Sequence, residues 1–175
     1  MQKVILGIGI PGAGKSTLLE EFADTNRYTL ISPDAIRNEL TGNALDQTKN
    51  RAVWNEVFRR TYRAILRGET VVVDATFARS DERKEFLAFL RNHKVPRIEG
   101  VFIDAKIETA KERNVLRNKE IPDYAIERMH KSLTDSPPQL EDGFDALFTF
   151  DEYQRLQAVE REKDGETQRK MWNIK

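Results

Sequence analysis

Gly9-Ile10-Pro11-Gly12-Ala13-Gly14-Lys15-Ser16 fits G-x-x-x-x-G-K-[ST] at every position. Before it lies Lys3-Val4-Ile5-Leu6-Gly7-Ile8, a short β-rich apolar run that reads as a buried parallel strand. After it, Thr17-Leu18-Leu19-Glu20-Glu21-Phe22-Ala23 is apolar at helical spacing. Strand, glycine loop, helix is the context in which backbone N–H groups can turn inward on a phosphate chain. The helix N-terminus there adds about half a positive charge. Lys15 can then reach the β- and γ-phosphates, and the Ser16 hydroxyl can hold Mg²⁺. The stretch implies a nucleoside triphosphate ligand and leaves open where the phosphate goes.

A chain of 175 residues suits one α/β domain with a substantial core. There is no cysteine, so neither a disulfide framework nor a thiolate metal site is available. The two histidines, His93 and His130, lack ligand partners at close spacing and read as surface residues. No apolar run approaches the ~20 residues of a membrane span. The N-terminal apolar stretch runs straight into the glycine loop rather than reading as a leader, so a cytoplasmic protein with no membrane partner is expected. Lys+Arg and Asp+Glu both count 29, which disfavours coating nucleic acid by bulk charge. Gripping a strand end through a few placed arginines remains open.

Residues 3–9 form the first expected strand and 15–25 the first helix. Residues 27–31 form a second strand that ends at Ser32-Pro33-Asp34, with Ser32 as N-cap and Pro33 at the first helical position. That helix carries Asp34 and Arg37 on one face and stops near Gly42. Residues 46–67 read as a long helix ended by Gly68. Thr70-Val71-Val72-Val73-Asp74 is a hydrophobic strand ending in an acid, the Walker B pattern. Ser80 is expected to cap a helix through His93. A strand follows over 97–102, helices over 106–118 and 123–133, and a last strand near 146–150. From about residue 151 a charged helical stretch runs to Gly165, and Met171, Trp172 and Ile174 hint at docking. Strands alternating with helices imply a mostly parallel, doubly covered sheet, in which ligands gather at the carboxyl ends of the strands. The loop 9–16, Asp34, Asp74 and Asp104 all follow strand ends and should share one edge.

Phosphoryl transfer to a hydroxyl needs positioning, charge neutralisation and an acceptor for the hydroxyl proton. Asp34 is the candidate base, although an acid in a first helical turn is also favourable with the dipole alone. Arg37, one turn on, either binds an acceptor phosphate or pairs with Asp34. Asp74 can orient the water shell of Mg²⁺. Ala75 follows it where ATPases of the Asp-Glu type place a water-activating glutamate, so metal without hydrolysis is expected. Arg113 and Arg117 share a helical face and suit either a lid over the triphosphate or a solvated surface. Asn118-Lys119-Glu120-Ile121 is not the guanine-reading N-K-x-D element, which disfavours a GTPase. Arg59, Arg63 and Arg67 form a stripe that could track a nucleic-acid backbone or simply face solvent.

Taken together, these residues resemble the kinase domain of the bacteriophage polynucleotide 5′-kinases, from Met1 to about Leu133. Gly9-Ile10-Pro11-Gly12-Ala13-Gly14-Lys15-Ser16-Thr17 is similar to that family's phosphate loop. Ile31-Ser32-Pro33-Asp34-Ala35-Ile36-Arg37 is similar to its aspartate-x-x-arginine stretch. Val72-Val73-Asp74-Ala75-Thr76 with Glu82-Arg83 resembles its third strand and helix, although the spacing from Asp74 to Glu82-Arg83 departs from the pattern. Arg113-Asn114 with Arg117, then Ile121-Pro122 and Met129-His130-Lys131-Ser132-Leu133, resembles its lid and following helix.

The resemblance implies a P-loop NTPase/kinase fold: five mostly parallel strands, helices on both faces, and a helical lid at about 113–124. The kinase domain would span 1–152, with 153–175 a charged C-terminal helix or tail. It implies ATP and Mg²⁺ as cofactors and 5′-OH nucleic-acid ends as substrate. Gly9, Pro11, Gly12, Ala13, Gly14, Lys15, Ser16, Thr17, Arg113 and Arg117 would hold the nucleotide, and Ser16 and Asp74 the metal. Asp34 would be the base, Arg37 the acceptor grip, and Lys15 and Arg117 would stabilise transferring charge. No D-x-D-x-T phosphatase motif accompanies it, since Glu141-Asp142-Gly143-Phe144-Asp145 does not fit one. A small-molecule kinase for a nucleoside, nucleotide-sugar, sugar or antibiotic is the nearest alternative. A non-catalytic ATP-binding switch is a third.

Overall fold

The computed structural model describes residues 2–116 and 121–159. Five strands form one sheet in the order β2-β3-β1-β4-β5, every neighbouring pair parallel. They are β1 (Val4–Ile8), β2 (Thr29–Ile31), β3 (Val71–Asp74), β4 (Ile98–Phe102) and β5 (Ala146–Thr149). The helices are α1 (Lys15–Asn26), α2 (Pro33–Thr41), α3 (Asn50–Leu66), α4 (Ser80–Asn92), α5 (Ile107–Leu116) and α6 (Asp123–Asp135). A single 3₁₀ turn covers Leu140–Asp142, and residues 150–159 are helical.

A central parallel strand is covered on both faces, which is why β1 is apolar without alternation and wholly buried. Right-handed crossovers carry α1 to one face of the sheet and the β2–β3, β3–β4 and β4–β5 connections to the other. The aromatic contacts divide the same way. On one face Trp54 and Phe58 of α3 meet Phe77, Phe86 and Phe89, with Phe58 and Phe89 edge to face at 4.7 Å. On the other, Phe22 of α1 packs edge to face on Tyr153 at 5.4 Å. Tyr153 and Gln157 are buried, so the packing continues across residue 152 into the charged C-terminal stretch. Met171, Trp172 and Ile174 lie outside the described residues.

Polar groups buried on that second face are paired. Glu99, on the inner strand β4, meets Lys3 Nζ at 3.1 Å and Arg97 Nε at 2.5 Å, and accepts a hydrogen bond from the Tyr153 hydroxyl. Burial pushes its carboxyl pKa up, but the Tyr153 and Arg97 hydrogen bonds and the Lys3 charge outweigh it, and the net shift is downward.

Helix ends follow local chemistry with two departures. Ser32 caps α2 by accepting from Ala35 N, and Gly42 ends it in the left-handed region at φ 75°. Ser80 does not cap α4: Arg79 occupies the N-cap and Ser80 is the first helical residue. Residues 46–49 are not helical, because the Asp46 carboxylate accepts from Thr48 N and diverts the backbone before Asn50.

Candidate active site

Because all strands are parallel, the loop 9–16, the β2–α2 junction, Asp74 and Asp104 emerge at the same edge of the sheet. Hydrogen bonds tie these ends together: Gly9 N donates to Thr76 O at 3.1 Å and Ile103 N to Ile8 O at 2.8 Å. Gly12 sits at φ 82°, and a Cβ there would stand 2.0 Å from the Ala110 carbonyl oxygen. The loop therefore rests directly on α5, and no other residue type fits that contact.

Lys15 begins α1, and its ammonium lies 2.8 Å from Asp74 Oδ1, with both side chains at most 10% exposed. Neighbouring strand ends thus supply a buried cation and a buried anion, each satisfying the other. Arg113 Nη1 donates to the Ala13 carbonyl at 3.3 Å, bringing the end of α5 onto the loop. Arg117 and residues 117–120 of the expected lid lie outside the described residues. No group of three or more His, Cys, Asp or Glu that could hold a metal occurs among the described residues. Asp74 and the Ser16 hydroxyl, each following from a strand or helix end, remain the oxygen donors expected for Mg²⁺ beside a phosphate chain.

Asp34 occupies the first turn of α2, and its side chain is 51% exposed. Arg37 Nη1 donates to Asp34 Oδ1 at 2.7 Å and also to Ala44 O at 3.1 Å, while Nη2 reaches Asn50 Oδ1 at 3.3 Å. The Arg37 side chain is 7% exposed, and its Nε is buried with no hydrogen-bond partner among the described residues. Of the two readings of Arg37, the pairing with Asp34 is the one present. The guanidinium joins α2 to the following loop and to the start of α3.

Two arginines of the α3 stripe, Arg59 and Arg67, are paired with carboxylates. Arg59 pairs with Glu56 and Arg67 with Glu69, and Arg60 bridges Glu56 and Glu39. Hydrogen bonds from Arg59 and Arg60 hold the Glu56 pKa down at about 2. The two histidines are half-buried rather than on the surface. His93 lies between Tyr62 and Phe89 at 4.5 and 4.4 Å, and His130 lines a cleft beside the glycine loop.

One positioning residue escaped sequence reasoning. Arg83 is fully buried, with Nη1 donating to Phe77 O and Ala78 O at 3.0 and 3.2 Å, Nη2 to Ser136 O at 2.7 Å, and Nε to Asp142 at 3.1 Å. It locks the segment after Asp74 to the loop after α6, and beside it Phe77 is held at φ 44°. Nothing in a charged helix start distinguishes such an arginine from a solvated one, although its resemblance to the polynucleotide kinases placed it in a matching block.

A family model described as AAA domain matches residues 4–136. The chain belongs to this AAA-domain family. Among curated proteins it is 24% identical over 148 residues to the bifunctional polynucleotide phosphatase/kinase of Schizosaccharomyces pombe, covering 82% of this chain and 32% of that protein. The AAA-domain chain therefore spans about a third of the length of that relative. Among solved structures, a chain of the Pnkp1/Rnl/Hen1 RNA repair complex superposes with TM-score 0.69 at 21% identity, over 77% of this chain and 45% of that one. A putative kinase from Chloroflexus aurantiacus gives 0.66 at 17%, over 85% and 86%. A gluconokinase from Sinorhizobium meliloti gives 0.56 at 20%, over 83% and 81%. These likenesses fix the fold as that of the P-loop kinases.

Proposed function

We propose that this AAA-domain protein transfers the γ-phosphate of ATP, with Mg²⁺, to the 5′-hydroxyl end of DNA or RNA. The observation that carries this reading is Asp34. Its carboxylate stands exposed at the strand edge that bears the phosphate loop, fixed in direction by a buried arginine. A carboxylate so placed can accept the proton of an incoming hydroxyl. In this mechanism the loop 9–17 and the Lys15 ammonium hold the triphosphate. Lys15 exchanges its Asp74 partner for phosphate oxygens, freeing Asp74 to orient the metal's water shell with Ser16. Arg113, already against the loop at Ala13, neutralises donor charge, and Arg117 adds to it. Ser16 and Asp74 would hold Mg²⁺, which would supply positive charge to offset that developing on the transferring phosphate. The likeness to the polynucleotide phosphatase/kinase of Schizosaccharomyces pombe supports a polynucleotide acceptor.

The second reading, a small-molecule kinase, draws on the carboxylate pairing of Arg59 and Arg67 and on structural neighbours such as the gluconokinase. Incubation with γ-labelled ATP, Mg²⁺ and a panel of 5′-OH oligonucleotides, nucleosides and sugars separates the two. Label on oligonucleotide ends, weakening steeply with salt, is expected. Label confined to a sugar or nucleoside would overturn the polynucleotide reading, and no label on any hydroxyl would overturn both.

A further inference from the structure

A cleft of about 290 Å³ opens at the carboxyl end of β4, lined by Ile10, Ile103, Asp104, His130, Leu133 and Pro137 among others. It borders the phosphate loop at Ile10, in the half of the loop that precedes Lys15 and the start of α1. α6, with His130 and Leu133, lies on the face of the sheet that also carries α2 with Asp34 and Arg37, whereas α1 lies on the other face. The cleft therefore adjoins the side from which an acceptor approaches.

Its chemistry selects a ring and rejects a phosphate. Ile10, Ile103 and Leu133 are nearly inaccessible and supply an apolar floor. The polar rim is Asp104, His130 and Thr134. Thr134 donates its hydroxyl to His130 O at 3.0 Å and is spent on the backbone of α6. Among the described residues neither the Asp104 carboxylate nor the His130 ring has a hydrogen-bond or ion-pair partner. A carboxylate repels phosphate oxygens and accepts from the amino or imino edge of a nucleobase, and an imidazole presents a face for stacking. The volume holds a base with its sugar, and neither lysine nor arginine lines it.

We propose that this cleft binds a nucleobase of the acceptor strand within the first few nucleotides of the 5′ end. Asp104 then reads an N–H edge, His130 stacks, and Ile10 joins the base to the phosphate loop. The site deepens the polynucleotide-kinase reading and rests on it.

The test uses 5′-OH oligonucleotides carrying one abasic residue at each of the first four positions. They are assayed with the parental chain and with Asp104→Ala/His130→Ala, alongside ATP titrations. Both substituted residues lie at the rim, and folding is checked by thermal melting. In the parental protein one abasic position should raise the acceptor KM about tenfold, with kcat little changed. The double variant should show a raised KM for the intact oligonucleotide and lose the abasic penalty at that position, a non-additivity that a merely structural lesion does not produce. The ATP KM should stay constant. An abasic penalty identical in both proteins would overturn the inference while leaving the kinase reading standing. A rise confined to the ATP KM would give the cleft to the donor base and overturn the acceptor assignment. Absence of transfer to any oligonucleotide by the parental protein would overturn the polynucleotide reading itself, and this site with it.

Discussion

Asp34→Asn isolates proton acceptance from everything else that the Asp34 side chain does. The amide keeps an oxygen where Oδ1 accepts from Arg37 Nη1 at 2.7 Å, so the direction of α2's first turn should persist. What disappears is the negative charge and the basicity. General-base catalysis is typically worth about 10²–10⁴ in rate, and kcat should fall by that factor, about 2.7–5.4 kcal/mol in barrier. The structural cost is far smaller. The carboxylate is 51% exposed and the amide keeps the hydrogen bond to the buried guanidinium, so the loss is about 0.5 kcal/mol. For a chain of this size that amounts to about 1–2 °C in Tm. Steady-state kinetics with saturating ATP and acceptor, a nucleotide-binding titration and a thermal melt read the three quantities separately. The expectation is a large loss of kcat, an ATP Kd within about twofold of parental, and a nearly unchanged Tm. A kcat within about threefold of parental would remove Asp34 from proton transfer and leave it as Arg37's helix partner.

Gly12→Ala should abolish nucleotide binding in an equilibrium titration, because the new methyl group meets the Ala110 carbonyl oxygen at 2.0 Å and the loop must leave α5. Retained binding would mean that the loop moves freely. Lys15→Met leaves Asp74 buried without its cation and should lower stability by about 3–5 kcal/mol in urea unfolding. Lys15→Met/Asp74→Asn should recover most of that loss. Equal stability of the single and double variants would deny that the pair is coupled. Glu99 has its folded pKa lowered, so its contribution is present above the ordinary glutamate value of 4.5 and is lost as pH falls through the folded value. Glu99→Gln should accordingly cost stability near neutral pH and narrow its gap to the parental protein in acid, read from urea midpoints at pH 7 and pH 3. A gap independent of pH would place the charge elsewhere.

The order of strands and helices was legible because each carries its own period. The apolar run at β1, the glycine loop and the Ser32-Pro33 start of α2 leave little freedom. What sequence could not give was pairing at long range. The Lys15–Asp74 contact joins residues 59 apart, and Arg83 reaches Ser136 and Asp142 across more than 50 positions. Neither has a local signature. Ser80 shows the opposite limit. Its type fits a cap, but its neighbour Asp81 supplies the carboxylate that Arg79 binds, and the helix begins one residue earlier than the serine rule implies. His130 was read as a surface residue because histidine spacing says nothing about the concavity that α6 forms with the end of β4.

The position of Arg37 carries the mechanism furthest. An arginine set to seize an acceptor phosphate would need its guanidinium in solvent, yet this one is almost buried and divides its donors among Asp34, Ala44 O and Asn50. Its Nε is buried as well and has no hydrogen-bond partner among the described residues. Burying a cation among carbonyl, amide and carboxylate oxygens is costly unless it holds something in place. Here it holds the carboxylate at the sheet edge that also carries the phosphate loop. Arg37→Lys preserves charge but not the planar fork that spans three partners. It should therefore lower kcat through a misdirected Asp34 as well as raise the acceptor KM. A pure KM effect would return Arg37 to the role of acceptor grip.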